Sequence, residues 1–117
     1  MMQGEIWLIN LDPTIGAEMR KTRPALIISN DVFVSLPLKI ILPITDWKEH
    51  YSISPWMIQL LPSQTNGLTK LSSIDCFQIR SVSENRLIRK IGNVSEEIMP
   101  KINPAISQVI EIPNLIK

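Results

Sequence analysis

The sequence predicts a mainly β, α+β domain: a partly open antiparallel barrel of five to seven short strands, finished by a C-terminal helix. Three observations point there. Apolar residues recur in short runs with β-branched and aromatic members, and turn residues separate the runs. Nine prolines are many for 117 residues, and they favour short elements joined by sharp turns over a helix bundle. After Ser95 the apolar spacing changes to steps of three and four. The length fits one domain, residues 1–117. A chain of this size buries roughly two-thirds of its unfolded surface, enough for a real core.

The elements follow in order. Gly4 to Leu11 (GEIWLINL) is a strand stopped by Asp12-Pro13. Asp12 to Thr22 is a polar loop of about ten residues, long for a hairpin connection, and ordered loops of that length often carry function. Pro24 to Ser29 is a buried strand with proline tolerated at its first position. Asn30-Asp31 turns the chain or caps a short helix through Val32–Leu36. Leu38 to Ile44 is the third strand, and Thr45 to Ser54 a second polar loop holding Trp47, His50 and Tyr51. Trp56 to Leu61 is the fourth strand, and Asn66-Gly67 marks a turn. Ser72 to Arg80 alternates and reads as the fifth strand; Arg86 to Val94 is the sixth, with Gly92-Asn93 near its end. Ile98, Ile102, Ile106, Val109 and Ile110 form a helical stripe, with Ser95 as N-cap and Glu96 and Glu97 in the first turn. Pro100 and Pro104 fit one kinked helix or two short ones, Asn103-Pro104 capping the second.

Bulk charge names no partner. The formal net charge is +1, so any nucleic-acid site must come from a local cluster. Cys76 is the only cysteine; it makes no intrachain disulfide and is expected as a small buried hydrophobe. Met1 to Glu5 lacks the basic-then-apolar pattern of a targeting segment. The longest apolar stretches are about five residues, against roughly 20 for a membrane helix. The expectation is a soluble, cytoplasmic protein with no membrane partner.

The segment Asp12 to Pro24, DPTIGAEMRKTRP, is the most informative. It places Glu18, Arg20, Lys21 and Arg23 within six positions, in a loop opened by Gly16. Three cations between two strands can grip a phosphate, and arginine offers a planar fork that matches its oxygens. The alternative is a solvated loop with Arg23 covering the barrel edge. Thr45 and Asp46 end the third strand, at the mouth of the barrel if strands two and three pair. There Thr45 can donate to a reacting phosphate, or simply satisfy its own turn. With one histidine and one cysteine, no metal-ligand spacing is present, and neither metal nor cofactor is expected.

The run GEIWLINLDPTIGAEMRKTRPALIISND resembles the N-terminal signature of MazF/PemK-type toxins. The shared features are Gly4, Leu11-Asp12-Pro13, Gly16, Glu18, Arg23-Pro24 opening an apolar strand, and Asn30-Asp31. Pro43-x-Thr45, Gln78-Ile79-Arg80, Arg86-Leu87 and the closing Ser-Glu-Glu helix are similar too, so the order holds over nearly the whole chain. The resemblance implies a dimeric, SH3-like barrel that cuts single-stranded RNA and is blocked by the flexible C-terminal tail of a cognate antitoxin in its RNA groove. It puts the catalytic residues at Arg23 and Thr45 and the acidic loop residue at Glu18. RNA-contacting positions fall on the loop from Gly16 to Lys21 and on Gln78. Three departures are Met19 where many members have Gln, Asp46 where many have Ser, and Phe77 where several have a carboxylate. Asp75, two positions before Phe77 and on the same strand face by alternation, is a candidate substitute.

Such a site can act by attack of the RNA 2′-hydroxyl on the adjacent phosphorus, which needs no metal. Arg23 would stabilise the phosphorane charge. Arginine exchanges protons poorly, so Glu18 is the better base. Thr45 would bond a non-bridging oxygen, and His50 is a candidate general acid. Trp47, Tyr51, Arg20, Lys21, Gln78 and Arg80 are the expected RNA contacts. Trp7 and Trp56 sit in apolar runs and are expected in the core or a dimer interface. Two rivals share the fold: a binding-only homologue, and a toxin that binds DNA gyrase through a tryptophan near the C-terminus. The last six residues, from Ile112 to Lys117, contain no tryptophan.

Overall fold

In the computed structural model, residues 1–111 are described. The segment 112–117, on which the gyrase-type rival was weighed, lies outside them. Seven strands form one antiparallel sheet that does not close on itself: β1 (Glu5–Asn10), β2 (Thr22–Ile27), β3 (Leu38–Asp46), β4 (Met57–Leu60), β5 (Ser72–Asp75), β6 (Arg80–Ser83) and β7 (Leu87–Asn93). One helix, α1 (Met99–Ile110), follows. The strand order is β4-β5-β3-β2-β1-β7, with β6 also paired to β3.

β3 is the spine of the sheet. Along one edge Ile41–Pro43 pair with β2. Along the other, Leu38–Ile41 pair with β6 and Ile44–Asp46 with β5. The strand is therefore nine residues long and includes Thr45 and Asp46, which the sequence assigned to the following loop. Thr45 stays in the strand because Ser73 pairs with it.

Two apolar clusters cover opposite faces of the sheet. On one, Ile6, Leu26, Leu42, Ile44 and Ile74 pack with Ile98, Ile102 and Ala105 of the helical segment. On the other, Ile9, Leu11, Ala25, Ile27, Ile41, Val82 and Leu87 form a second cluster, with Trp7 and Met19 packed against it. A strand covered on both faces needs no polar alternation, which is why β2 reads as an apolar run. Pro24 is the third residue of β2, not its first; it lies opposite Leu8, and the β2–β3 ladder starts one residue later at Ala25. Proline has no N–H to give that ladder.

Two other expectations change. The fifth strand is not continuous from Ser72 to Arg80. It stops at Asp75, a 3-10 turn covers Cys76–Gln78, and β6 begins at Arg80. The cause is local: the Asp75 carboxylate accepts the Phe77 amide at 2.9 Å and caps the turn. Asp75 and Phe77 therefore do not share a strand face. The helix starts at Met99 rather than after Ser95, whose hydroxyl instead bonds Glu97 at 2.7 Å. It is a single helix, with Pro100 in its first turn and Pro104 inside it.

Glu5 pins β1 to β7 and to the indole of Trp7. Trp7 Nε1 donates to Glu5 Oε1 at 2.8 Å, and Lys90 Nζ lies 3.4 Å from Oε2. Burial pushes the carboxyl up, but the bonds from Trp7 and Met2 and the charges of the amino terminus and Lys90 outweigh it, holding the pKa at about 2 instead of 4.5. A depressed acid stabilises the fold above its unfolded pKa, and that contribution is lost as pH falls through the folded value. Glu5→Gln should therefore cost ~2 kcal/mol at pH 7. The gap from wild type should close as the pH of urea titrations is lowered from 4.5 towards 2. A gap that does not change with pH would show that Glu5 acts by shape alone.

Candidate active site

The register of β2 and β3 builds the site. Ala25 pairs with Pro43, so two residues further along, one step beyond the ladder, Arg23 faces Thr45 on the same side of the sheet. Arg23 Nη1 lies 3.5 Å from the Thr45 hydroxyl. Arg23 Nε donates to the Arg20 carbonyl at 3.1 Å, which ties the guanidinium to the loop between β1 and β2. The face is that of the second apolar cluster, which holds both strands still beneath the pair.

The loop is closed at its ends by polar contacts. The Asp12 carboxylate accepts the Lys21 amide at 3.0 Å, and Lys21 takes a positive φ of 68° to make the turn. Leu11 N donates to the Lys21 carbonyl at 3.0 Å. Arg86 donates to the carbonyls of Asn10 and Asp12. Within the loop, Glu18 Oε1 accepts the Ile15 amide at 2.7 Å, and Arg20 Nη2 donates to the Gly16 carbonyl at 3.0 Å. Gly16 has φ +62° and open space around it, and is exposed.

Beside the pair lies a cavity of about 230 Å³ lined by Glu18, Met19, Pro43, Phe77, Gln78 and Arg80, with Ile79. Pro43 and Thr45 alternate onto one face of β3, so cavity and pair adjoin. The Gln78 amide spans the gap from β5 to the loop. Its oxygen accepts Met19 N at 2.7 Å, and its nitrogen donates to Asp75 Oδ2 at 3.2 Å. Burial raises the Asp75 carboxyl above its ordinary pKa, while the bonds from Phe77 and Gln78 pull it back. Burial, with Asp75 adjacent, pushes the Cys76 thiol up to about 12; the thiol is buried, as expected of a small hydrophobe.

Cations in no ion pair gather at this loop, with Lys48, Arg89 and Lys101 the others among the described residues. Among the described residues, every ion pair uses Glu5, Glu84 or Asp46 as the acid. Arg20, Lys21, Arg23, Arg80 and Arg86 are in none of them. Five cations around one loop thus keep their charge for a partner, and a polyanion is the natural one. The same residues hold no cluster of three His, Cys, Asp or Glu side chains that would bind a metal ion.

Of the residues singled out from sequence, Arg23, Thr45 and Arg20 meet directly, and Glu18, Gln78 and Arg80 line the adjoining cavity. Lys21 and Gly16 shape the loop. Trp47 packs edge-on to Tyr51 at 5.8 Å between ring centres, and His50 to Tyr51 at 4.7 Å; none of the three lines the cavity. Trp56 packs against the first cluster and edge-on to the exposed Phe77. Asp12 and Arg86 were not picked out as site residues. Their role is to hold the loop ends, and only Asp12-Pro13 before a long loop hinted at it.

Residues 2–110 match the family described as the PemK-like, MazF-like toxin of type II toxin-antitoxin system. The chain is 30% identical to the Mycobacterium tuberculosis protein named endoribonuclease MazF9, over 96% of this chain and 98% of that one. It is 29% identical to the Escherichia coli protein named endoribonuclease PemK, over 94% and 82%. Among solved structures, MazF from Deinococcus radiodurans superposes with a TM-score of 0.80 at 18% identity, covering 96% of this chain and 97% of that one. A mycobacterial endoribonuclease in complex with its cognate antitoxin gives 0.75 at 20% identity, covering 97% of each.

Proposed function

Because the chain belongs to the PemK-like, MazF-like toxin family of type II toxin–antitoxin systems, we propose that it is a sequence-specific endoribonuclease that cuts single-stranded RNA without a metal. One observation carries the reading: a guanidinium free of any carboxylate partner among the described residues, held 3.5 Å from a hydroxyl on a rigid sheet face.

In the proposed step the RNA 2′-oxygen attacks the adjacent phosphorus. A new 2′-O–P bond forms as the bond to the 5′-oxygen breaks. The 2′ proton passes to a base and the 5′-oxygen takes up a proton, so the products are a 2′,3′-cyclic phosphate and a 5′-hydroxyl. Arg23 supplies the positive charge that a metal would otherwise bring to the phosphorane. Thr45 bonds a non-bridging oxygen. Glu18 takes the 2′ proton: its carboxylate is exposed, and only Oε1 is engaged, by Ile15 N. Gly16, Arg20, Lys21, Trp47 and Arg80 offer backbone, charge and an aromatic face to the strand.

A cognate antitoxin fits the same groove, its tail competing with RNA for the unpaired cations, and the mycobacterial neighbour was solved with such a partner. A homodimer fits the exposed side chains Val32, Phe33, Val34, Leu36, Leu38 and Ile40, a longer apolar stretch than an isolated chain usually leaves bare.

The test is incubation of purified, antitoxin-free protein with mixed single-stranded RNA in EDTA, with the new ends mapped. Cuts at a recurring sequence, with cyclic-phosphate and 5′-hydroxyl ends, are expected. A folded protein that cuts none of several RNAs would instead be a binding-only homologue.

A further inference from the structure

The Gln78 amide bridges the loop and the end of β5, and its polarity is forced. Met19 N–H can only donate, so Gln78 must turn its oxygen to Met19, at 2.7 Å. Its NH₂ group must then find an acceptor on the other side. Asp75 Oδ2 is that acceptor at 3.2 Å, while Oδ1 accepts Phe77 N at 2.9 Å. Asp75 is 4% exposed, so neither oxygen is turned to solvent or to a ligand.

The bond to Met19 has a special position. Among the described residues it is the only hydrogen bond from residues 13–19 to any residue outside the loop; the others in that stretch are internal to it. Met19 also places its side chain on the second apolar cluster. The next residue, Arg20, gives its carbonyl to Arg23 Nε at 3.1 Å. An unbroken path therefore runs from Asp75 through Gln78, Met19 and Arg20 to Arg23.

We propose that Asp75 and Gln78 form a polarity-matched latch that holds the Asp12–Thr22 loop where Arg23 can act. Both are positioning residues. Asp75 does not stand in for a substrate-facing carboxylate, and the site lacks one at Phe77. The functional half of the proposal rests on Arg23 being the cleavage group; the structural half does not.

The experiment pairs exchange of the Met19 amide, followed by NMR, with steady-state cleavage of a short single-stranded RNA. Asp75→Asn turns a donor to the Gln78 NH₂, so the amide flips or lets go of Met19. Gln78→Met keeps the shape and removes both bonds. Each should lower Met19 protection by about tenfold and kcat by about tenfold, with KM little changed, the range expected for losing one such bond. The decisive variant combines Asp75→Asn with Gln78→Glu. There the new Asn donates to one oxygen of the new Glu, whose other oxygen accepts Met19 N–H, and Asn Oδ1 still accepts Phe77 N. Protection and kcat should both return towards wild type, including where a single variant fails to fold.

A combined variant no better than the worse single one overturns the latch. So does Gln78→Met raising KM or changing the cut sequence with Met19 still protected, which is the behaviour of a direct RNA contact. If the wild-type protein cuts no RNA, the proposed function fails, and Met19 exchange alone still decides for or against the latch.

Discussion

If Arg23 stabilises the phosphorane as proposed, Arg23→Ala is expected to lower the rate of RNA cleavage by about 100- to 1,000-fold, the usual loss when one group stabilising transition-state charge is removed. The loss should fall on kcat, because the phosphorane carries more negative charge than the ground-state phosphate and several other unpaired cations still bind the strand. Arg23→Lys separates charge from geometry. Lysine keeps a positive charge but has one ammonium on a flexible stem. It can no longer reach the Arg20 carbonyl and the Thr45 hydroxyl with separate nitrogens, as Nε and Nη1 do at 3.1 and 3.5 Å. An activity between those of wild type and Arg23→Ala is expected, with folding unchanged because Arg23 makes no ion pair among the described residues. Arg23→Ala with undiminished kcat would remove Arg23 from the chemistry altogether.

Gly92→Ala should be strongly destabilising, costing ~3 kcal/mol, the upper end of the usual range for overpacking. A Cβ at Gly92 would meet Thr65 O at 2.4 Å and the Asn66 carbonyl carbon and oxygen at 2.5 and 2.7 Å, all backbone. Backbone can yield only if the segment moves, and this segment is fixed. Asn66 is 3% exposed; its side chain accepts the amides of Ser63 and Leu68 and donates to the Leu61 carbonyl. Asn93 N also donates to Thr65 O at 2.9 Å, welding the same turn to β7. Gly67 faces the reverse constraint, with φ +70° and Ile91 O at 2.4 Å from its ideal Cβ position. Urea denaturation of Gly92→Ala should show a large drop in midpoint with the slope retained. A midpoint equal to that of wild type would mean that the turn moves aside freely.

The candidate site was legible in part because its residues are conspicuous types. A charged loop before an apolar strand and a hydroxyl at a strand end raised Arg23 and Thr45 beside plainer structural readings, and the family resemblance selected them as catalytic. What each touches could not be read. Gln78 was expected at the RNA from the resemblance and its strand position, and neither showed that its amide also bonds Met19 and Asp75, partners at separations of 59 and 3 residues. Ser72 to Arg80 looked like one strand because alternation persists along it. The side-chain cap from Asp75 breaks it, and such a cap competes with strand geometry without disturbing the apolar pattern.

By itself the sequence determined most of the order of the elements: short strands interrupted at Asp12-Pro13 and by a turn at Asn66-Gly67, and a last helix carrying Ile102 into the core. Those are short-range properties, set by β-branched runs, turn residues and apolar period. Tertiary structure alone decided which strands pair and what meets across them. It extended β3 through Thr45, opposed Arg23 to it across 22 positions, and brought Gly92 against the turn at Asn66. Register and close approach depend on partners distant in the chain. Local pattern supplies residues able to make such contacts, and only the packed sheet selects which of them do.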